Sequence, residues 1–402
     1  MVKELKNKSV PELRFREFKG KWNNYRLGDI CIKIQDGNYG GSYPKYDEFV
    51  KEGIPFLTSK ALGGDGILKE EKFDFLPFKK HNELKKAHIK LNDVLFTNRG
   101  SNIGTIGFVD KRIDGGNIGP QLTLLRSDLK IVAPLFLKIS LDTYSFKKQV
   151  NSQDSGSAMN FFGIKATSLF KLNLPFLPEQ QKIASFLSVV DNKLQQLTKK
   201  KSLLEEYKKG VMQKIFSQEL RFKDENGNKY TDWEEKKLGE FCKINKGVQF
   251  NKSLLSETGS YPCINGGIEP SGFSEKFNAK PNTITVSEGG NSCGFVNLIR
   301  VSFWSGGHCY TIEDIDISVE LLYLYNYLKF NQKRIMALRQ GSTLPGLPKK
   351  DLLKFIIKIP SFSEQKKIGF LIDSLNYKIE LVNSQIENTK AFKKGLLQQM
   401  FV

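Results

Sequence analysis

Histidine is almost absent from this chain and cysteine is scarce. Only His81, His88 and His308 occur among 402 residues, and Cys31, Cys242, Cys263, Cys293 and Cys309 fall at no CxxC spacing. A structural zinc site needs clustered Cys and His ligands, so the pattern argues against a metal, and the His308-Cys309 pair has no companions in sequence. Cys31 and Cys242 sit in apolar stretches and read as buried free thiols. Long apolar runs are missing too: none approaches the roughly 20 residues of a membrane span. The opening Met1-Val-Lys-Glu-Leu-Lys-Asn-Lys lacks the apolar core of a signal peptide. A cytoplasmic chain with no membrane partner is expected.

Catalytic signatures are equally absent. There is no GxxxxGK[ST] phosphate loop, no Asn-Pro-Pro-aromatic or Asp-Pro-Pro-aromatic tetrapeptide of an amino-methyltransferase, no nuclease carboxylate–lysine cluster and no nucleophile elbow. Gly100-Ser-Asn-Ile-Gly104-Thr-Ile-Gly107 has the wrong spacing for a dinucleotide fingerprint and reads as a tight turn between strands. Together these gaps favour a binding protein over an enzyme, with no catalytic residue, metal or cofactor of its own.

Negative charge is the last shortage. Asp and Glu number 43 against 62 Lys and Arg, a formal net charge of +19, which makes nucleic acid the first partner to consider. Lysine-rich compositions also arise without such a partner, so charge alone does not decide. Hydrophobic residues at 39% and aromatics at 11% are enough for real cores, and the length suits two or three domains.

What the chain does have is itself, twice. Pro175-Phe-Leu-Pro-Glu179-Gln180-Gln-Lys182-Ile183 recurs as Pro360-Ser-Phe-Ser-Glu364-Gln365-Lys-Lys367-Ile368. The same offset pairs Lys193 with Lys378, Lys209-Gly210 with Lys394-Gly395, Phe216 with Phe401, and Gly156-Ser157 with Gly341-Ser342. At a larger offset Leu13-Arg14-Phe15 is echoed by Leu220-Arg221-Phe222, and Trp22, Leu27-Gly28 and Cys31 by Trp233, Leu238-Gly239 and Cys242. The second half is therefore shorter in its interior. One scaffold carrying two different inserts is expected, presented to something with two similar halves.

The recurring blocks carry heptads. Ile183, Leu187, Val190, Leu194, Leu197, Leu204, Val211 and Ile215 step by four and three, with Lys201 and Lys208 in the gaps. Ile368, Ile372, Leu375, Ile379, Val382, Ile386, Leu396 and Met400 do the same, with Thr389 and Lys393 as exceptions. Such a seam predicts two long helices packed as a coiled coil. Pro178 and Glu179 suit a helix start, and a helix from Pro178 to Phe216 would reach roughly 58 Å at about 1.5 Å per residue.

The interiors read as short strands, such as Asp93–Thr97, Gln121–Leu125 and Asn282–Val286, with helices near 134–149 and 318–338. Their loops supply groups suited to base edges and phosphates. The candidates in the first half are Asn38, Tyr39, Tyr43, Lys60, Asn98, Arg99, Ser101, Asn102 and Ser157. Those in the second are Asn251, Lys252, Asn291, His308, Arg339 and Ser342.

Leu13-Arg14-Phe15, Trp22, Leu27-Gly28-Asp29-Ile30, Gly156-Ser157 and Leu172-Asn-Leu-Pro175 leading into Glu179-Gln180-x-Lys182-Ile183, nearly all repeated, resemble the specificity subunit of type I restriction–modification enzymes. The resemblance covers essentially the whole chain; Ser361 and Ser363 in the second proline-rich approach are a mild departure. It implies an α+β fold of two target-recognition domains, residues 1–177 and 218–362, separated by spacer helices 178–217 and 363–402 packed as an antiparallel coiled coil. It also implies that each domain reads half of a split double-stranded DNA target. The implied partners are two modification (methyltransferase) subunits and up to two restriction subunits, with S-adenosylmethionine, ATP and Mg2+ on those partners. A stand-alone DNA-binding regulator, or a coiled-coil scaffold without a methyltransferase, is the alternative reading, and a fused enzyme a more distant one.

Overall fold

The structure is a computed structural model that describes residues 10–63, 66–152, 161–341, 343 and 345–402. It forms two compact units, one comprising residues up to Gln196 with Ile386–Val402 and the other Leu197–Gln385.

In the first unit the order is β1 (Asn23–Arg26), α1 (Leu27–Ile30), β2 (Cys31–Asp36), β3 (Ile54–Leu57), β4 (Asp74–Leu76), α2 (Phe78–Glu83), β5 (Val94–Thr97), β6 (Ile106–Phe108), β7 (Asn117–Ile118) and β8 (Leu122–Ser127). Helices α3 (Pro134–Leu141), α4 (Tyr144–Ser152) and α5 (Ile164–Ser168) follow, then β9 (Lys171–Leu174) and the first long helix, α6 (Leu177–Phe216), which from Leu197 on counts with the second unit. The second unit has β10 (Glu234–Lys237), β11 (Lys243–Lys246), β12 (Tyr261–Ile264), β13 (Phe273–Ser274), β14 (Thr283–Ser287), β15 (Val296–Ile299), β16 (Trp304–Ser305) and β17 (Cys309–Glu313). Helices α7 (Leu321–Phe330), α8 (Gln332–Met336) and α9 (Lys349–Leu353) and strand β18 (Ile356–Ile359) follow, then the second long helix, α10 (Phe362–Met400), which from Ile386 on counts with the first unit.

The sheets of the two units match strand for strand. A four-stranded antiparallel sheet runs β2-β8-β5-β6 in one and β11-β17-β14-β15 in the other. A three-stranded sheet runs β4-β3-β7 and β13-β12-β16, each with one antiparallel and one parallel pairing. Each unit is closed by an antiparallel pair of its first and last strands, β1 with β9 and β10 with β18. The interior, whose sequence suggested divergence, thus keeps one topology. The differences lie in connections: residues 58–73 and 77–93 of the first unit answer to the shorter 265–272 and 275–282 of the second. Strands β5 and β14 are buried at every position, which is why they read as continuous apolar runs without alternation.

The helices expected near 134–149 and 318–338 are each broken in two. Thr143 Oγ1 donates to the Ser140 carbonyl and accepts from Phe146 N–H, and Asn331 Nδ2 donates to the Tyr327 carbonyl. Both side chains compete with the helical ladder and end it where they stand.

The long helices form where the heptads place them. Along α6 the seam positions Ile183, Leu187, Val190, Leu194, Leu197, Lys201, Leu204, Lys208, Val211 and Ile215 are buried or half-buried, and α10 repeats this from Ile368, Ile372, Leu375, Ile379 and Val382 to Met400. In the first unit Ile183, Leu187 and Val190 share a core with Leu396 and Met400, and Lys393 meets Asp191 at 2.6 Å. In the second, Met212, Ile215 and Phe216 share a core with Ile368 and Ile372, and Lys201 Nζ donates to Asn383 Oδ1 at 2.7 Å. Within each unit the start of one long helix lies beside the end of the other, as antiparallel packing requires.

The repeated Glu-Gln-x-Lys has a physical explanation. Buried Glu179 takes a bidentate ion pair from Arg14, both contacts at 2.7 Å, and Glu364 takes the same from Arg221 at 3.2 and 2.8 Å. Gln180 donates to the carbonyls of Ile131 and Pro175 and accepts from Ala133 N–H; Gln365 donates to those of Ser318 and Pro360 and accepts from Glu320 N–H. Each Gln thereby ties the helix start to the strand before it and to the helix that covers the sheet. Lys182 pairs with Glu17 and lies over Phe15, while Lys367 donates to the Lys223 carbonyl and lies over Tyr230. The segment ahead of each unit is strapped down by these charges.

Two lysines in the second unit are less well served. Lys208, at a seam position, and Lys329 border a cavity of about 380 Å³ with Met212, Asn376 and Ile379. Burial lowers the Lys208 ammonium, and burial with the Lys208 charge brings Lys329 down to about 8. A lysine whose folded value lies below its ordinary 10.5 binds fewer protons folded than unfolded between those values, so its contribution to stability grows as pH rises from about 8 to about 10.5. Lys329→Met is expected to flatten that rise, read as the difference between wild-type and variant denaturation midpoints across the window; identical pH profiles would contradict it.

The ion pairs predict a second outcome. Arg221→Ala or Glu364→Ala strands a charge at a buried site and should each cost about 3 kcal/mol or more, whereas the double replacement should cost less than the two losses added. A double-mutant cycle by chemical denaturation measures it. Additive losses would mean that the pair is not coupled.

Candidate nucleic-acid interface

The connection between the last two strands of each four-stranded sheet is the most alike in the two units. Residues 98–105 join β5 to β6 and residues 288–295 join β14 to β15. Gly100 and Gly104, like Gly290 and Gly294, adopt positive φ, which a side chain would resist. Gly104 N–H closes on the Thr97 carbonyl at 2.9 Å and Gly294 N–H on that of Ser287 at 2.8 Å. The glycine-rich stretch with the wrong dinucleotide spacing is therefore a hairpin turn. Its first residues are also bridged to the end of the same unit, Arg99 to Phe161 and Gly289 to Gly346.

A second shared feature supports each hairpin from below. Gly37 and Gly247 follow β2 and β11, and a Cβ on either would collide with the carbonyl oxygen of Gly119 or Gly306. Their N–H groups bond to Leu122 and Cys309 carbonyls at 2.9 and 2.8 Å. The loops at 38–53 and 248–260 are thereby brought beside the neighbouring strand ends.

On this common frame the chemistry differs. In the first unit Thr123 Oγ1 donates to Asp36 Oδ1 at 2.5 Å, and Asn98 Nδ2 donates to Thr123 Oγ1 at 2.9 Å and to Asp36 Oδ1 at 3.2 Å. Burial pushes the Asp36 carboxyl up, opposed by those two bonds and by the Arg99 charge. Arg99 Nε donates to Asn98 Oδ1 at 3.2 Å, and its guanidinium lies 4.1 Å from the centre of the Phe161 ring.

In the second unit Glu288 stands where Asn98 stood. Its Oε1 accepts from Lys246 Nζ at 2.6 Å and from Tyr310 OH at 3.1 Å. Burial first, then the Glu288 charge, pushes Tyr310 up to about 12, so its hydroxyl stays a donor. A cleft of about 740 Å³ opens there, with Asn265, His308 and Gln340 beside it and Gly266, Gly267, Gly289, Gly290 and Gly346 as backbone walls.

Arg99, Ser101 and Asn102 come together on the first hairpin, with Arg99 half-buried and the other two exposed at its tip. Asn98 is fully buried behind them, and Asn38 is buried with its Nδ2 unpaired among the described residues. Tyr39 is exposed with Lys86 over its ring, Tyr43 packs edge-on against Phe56 at 5.7 Å, and Lys60 is exposed in a short 3-10 turn. In the second unit Asn291 is exposed at the hairpin tip and His308 lies 3.9 Å from Glu288. Asn251 accepts from the Ser253 N–H and hydroxyl, which caps its own turn; Lys252 and Arg339 are exposed. Ser157 and Ser342 lie outside the described residues.

Asp36, Thr123, Phe161, Lys246, Glu288 and Tyr310 were not singled out from the sequence. Asp36 and Glu288 each sit one or two residues before glycines of the recognised loops, and the repeated Gly-x-x-x-Gly of the two hairpins was the signal that could have aligned them.

The type I restriction modification DNA specificity domain model matches this chain over residues 19–206 and again over 230–389. The putative type I restriction enzyme MjaX specificity subunit of Methanocaldococcus jannaschii is 24% identical, covering 99% of this chain and 96% of its own. A putative type I specificity subunit of Mycoplasma pneumoniae is 30% identical over 43% of this chain, which spans about half that relative's length, 47%. Among solved structures, a type I restriction-modification system S subunit from M. genitalium superposes with TM-score 0.71 at 19% identity, covering 98% of this chain and 99% of its own.

The close approach of the paired glycines gives a test. Gly37→Ala and Gly247→Ala should each cost about 1–3 kcal/mol by overpacking against backbone. Gly210→Ala on α6, where a Cβ meets open space, should instead gain up to about 1 kcal/mol. Thermal denaturation of the three variants reads both signs, and neutral effects at Gly37 and Gly247 would contradict the packing.

Proposed function

We propose that this chain, which belongs to the type I restriction modification DNA specificity family, works as the non-catalytic subunit that reads a bipartite DNA target with its two units. The observation that carries the reading is the duplication itself: one scaffold of three sheets, built twice, with an equivalent hairpin in each copy and different chemistry on it. A device that recognised one continuous site would have no need of two matched frames. Two frames with unlike loops suit two unlike half-sites, since tethered modules multiply specificity without new kinds of contact.

The exposed Lys60, Ser101 and Asn102, with Arg99, and Asn251, Lys252, Asn291, His308 and Arg339 supply donors for phosphates and base edges. The net charge of +19 favours the polyanion. Asn38, Asn98 and Tyr43 belong to the same loops and act from inside, by holding them. The two long helices set the number of unspecified base pairs between half-sites.

Double-stranded DNA and the other subunits of a type I system are the partners. Two modification subunits carry S-adenosylmethionine, and up to two restriction subunits carry ATP and Mg2+, since adenine methylation and cleavage call for sequence motifs that this chain lacks. No helix among the described residues is long and apolar enough to cross a membrane. The cytoplasm, where such a complex meets host DNA, is its place of work.

Methylome sequencing tests the reading. The chain assembled with its cognate modification subunits should methylate adenine within a split motif, and exchanging residues 22–165 for those of a related chain should change one half of the motif only. The purified chain alone should turn over neither S-adenosylmethionine nor ATP. Specific regulation of a promoter with no methyltransferase partner would favour the stand-alone regulator instead.

A further inference from the structure

We propose that Arg99 reads a guanine in the major groove for the first unit, with Phe161 as its platform and Asn98 and Asp36 as positioning residues. The inference rests on the DNA-reading function proposed above and assigns one base to one side chain.

The argument starts from the buried carboxylate. Asp36 accepts and cannot donate when ionised, so the amide of Asn98 must turn its Nδ2 towards Asp36 and Thr123, at 3.2 and 2.9 Å. That orientation leaves Asn98 Oδ1 facing the other way, where it accepts from Arg99 Nε at 3.2 Å. Asn98 is held rigidly: its side chain is fully buried, and its carbonyl accepts Phe162 N–H at 3.0 Å. The guanidinium is then laid flat on Phe161, 4.1 Å from the ring centre, and Phe161 is itself 50% exposed. So large a ring left half in water adds little to the core but makes a rigid support for a planar cation.

The result is a fork with one nitrogen used and its plane fixed. Among the described residues the terminal nitrogens of Arg99 donate to no protein acceptor, and they make the pair of parallel donors that matches guanine O6 and N7. Little rotamer freedom remains to be lost on binding.

Two observations favour a base over a phosphate and function over packing. The Asn98 bond and the Phe161 ring fix the guanidinium plane, which a phosphate contact does not require and the two coplanar acceptors of guanine do. In the second unit the equivalent bridge is Gly289 to Gly346, with neither guanidinium nor ring, and the hairpin closes on the same positive-φ glycines. The scaffold does not need Arg99. This contact therefore belongs to the loop chemistry of the first unit and not to the shared scaffold.

The test uses the chain assembled with its cognate modification subunits, compared as wild type, Arg99→Ala and Arg99→Lys. Methylation of a randomised-target pool is sequenced, and binding to the wild-type motif is followed against salt. Wild type should show a split motif containing a guanine in one half. Both variants should lose the roughly ten- to hundred-fold preference for that guanine and keep every other position, including the whole second half. Lysine keeps the charge and loses the fork, so a motif restored by Arg99→Lys, with Arg99→Ala weakening all targets alike and flattening the salt slope, would identify a phosphate contact and overturn the inference. A motif unchanged in both variants would overturn it too, while leaving the subunit's function standing. Absence of any split motif from the wild-type complex would remove the function and this inference together.

Discussion

The buried glutamate–glutamine step at the head of each long helix is the contact on which both units depend. Glutamine bonds to three backbone groups, two carbonyls and one N–H, drawn from two separate pieces of the same unit: the end of the strand before the helix and the segment that leads into the helix covering the sheet. The adjacent glutamate is charged, buried and compensated by a bidentate arginine from the segment ahead of the first strand. Loss of either residue would strand polar groups in a dry interior, which costs far more than the bonds are worth when made. That is the physical content of a motif whose spelling survives duplication while the strands around it change.

The two halves show what a sequence can and cannot disclose. The long helices were legible because burial repeats at a fixed angle: Ile183, Leu187, Val190 and Leu197 on one and Ile368, Ile372, Leu375 and Val382 on the other lie at seam positions and are buried. The shared sheets were not, because a fully buried strand of four or five residues specifies only that it is apolar and β-branched or aromatic. Val94–Thr97 and Thr283–Ser287 satisfy that rule with different letters and occupy the same place. Glycines that carry a positive φ or touch backbone are the better markers, since no other residue fits. Gly37 with Gly247, and Gly100 and Gly104 with Gly290 and Gly294, align the interiors where side chains do not. Candidate loops were recognisable by their polar residues, yet which of those residues face outward was not. Asn98 looks in sequence like Asn102, and the difference is a buried aspartate sixty-odd positions upstream.

Polar residues in the helical seam mark a further difference between the copies. Lys393 in the first unit has Asp191 at 2.6 Å, whereas its counterpart Lys208 in the second has Asn376 at the corresponding place, with Glu205 and Glu380 on the same cavity acting on it through their charge but, among the described residues, no salt bridge to it. Both lysines interrupt an apolar seam, and such interruptions lower stability while restricting register. The first is compensated within its unit. The second keeps an ammonium whose ionisation is already disfavoured by burial.

The same division of labour explains why the interface can vary while the fold does not. In each unit a polar group inside the domain, Asn98 or Glu288, is bonded to the strands β2 and β8, or β11 and β17, and only then to the hairpin. Its partners differ, Asp36 and Thr123 against Lys246 and Tyr310, but every one of them comes from the strand at the corresponding place or its edge. The exposed tip residues stand outside this support, whereas Ile103 and Cys293 of the same hairpins pack into the cores. Because an unpaired polar group in the interior is costly, the support and its partners are expected to change together, whereas Ser101, Asn102 and Asn291 on the exposed tips can change singly. Recognition can then drift one position at a time at the tip and shift by larger steps when the support is rebuilt, with the glutamate–glutamine step untouched by either.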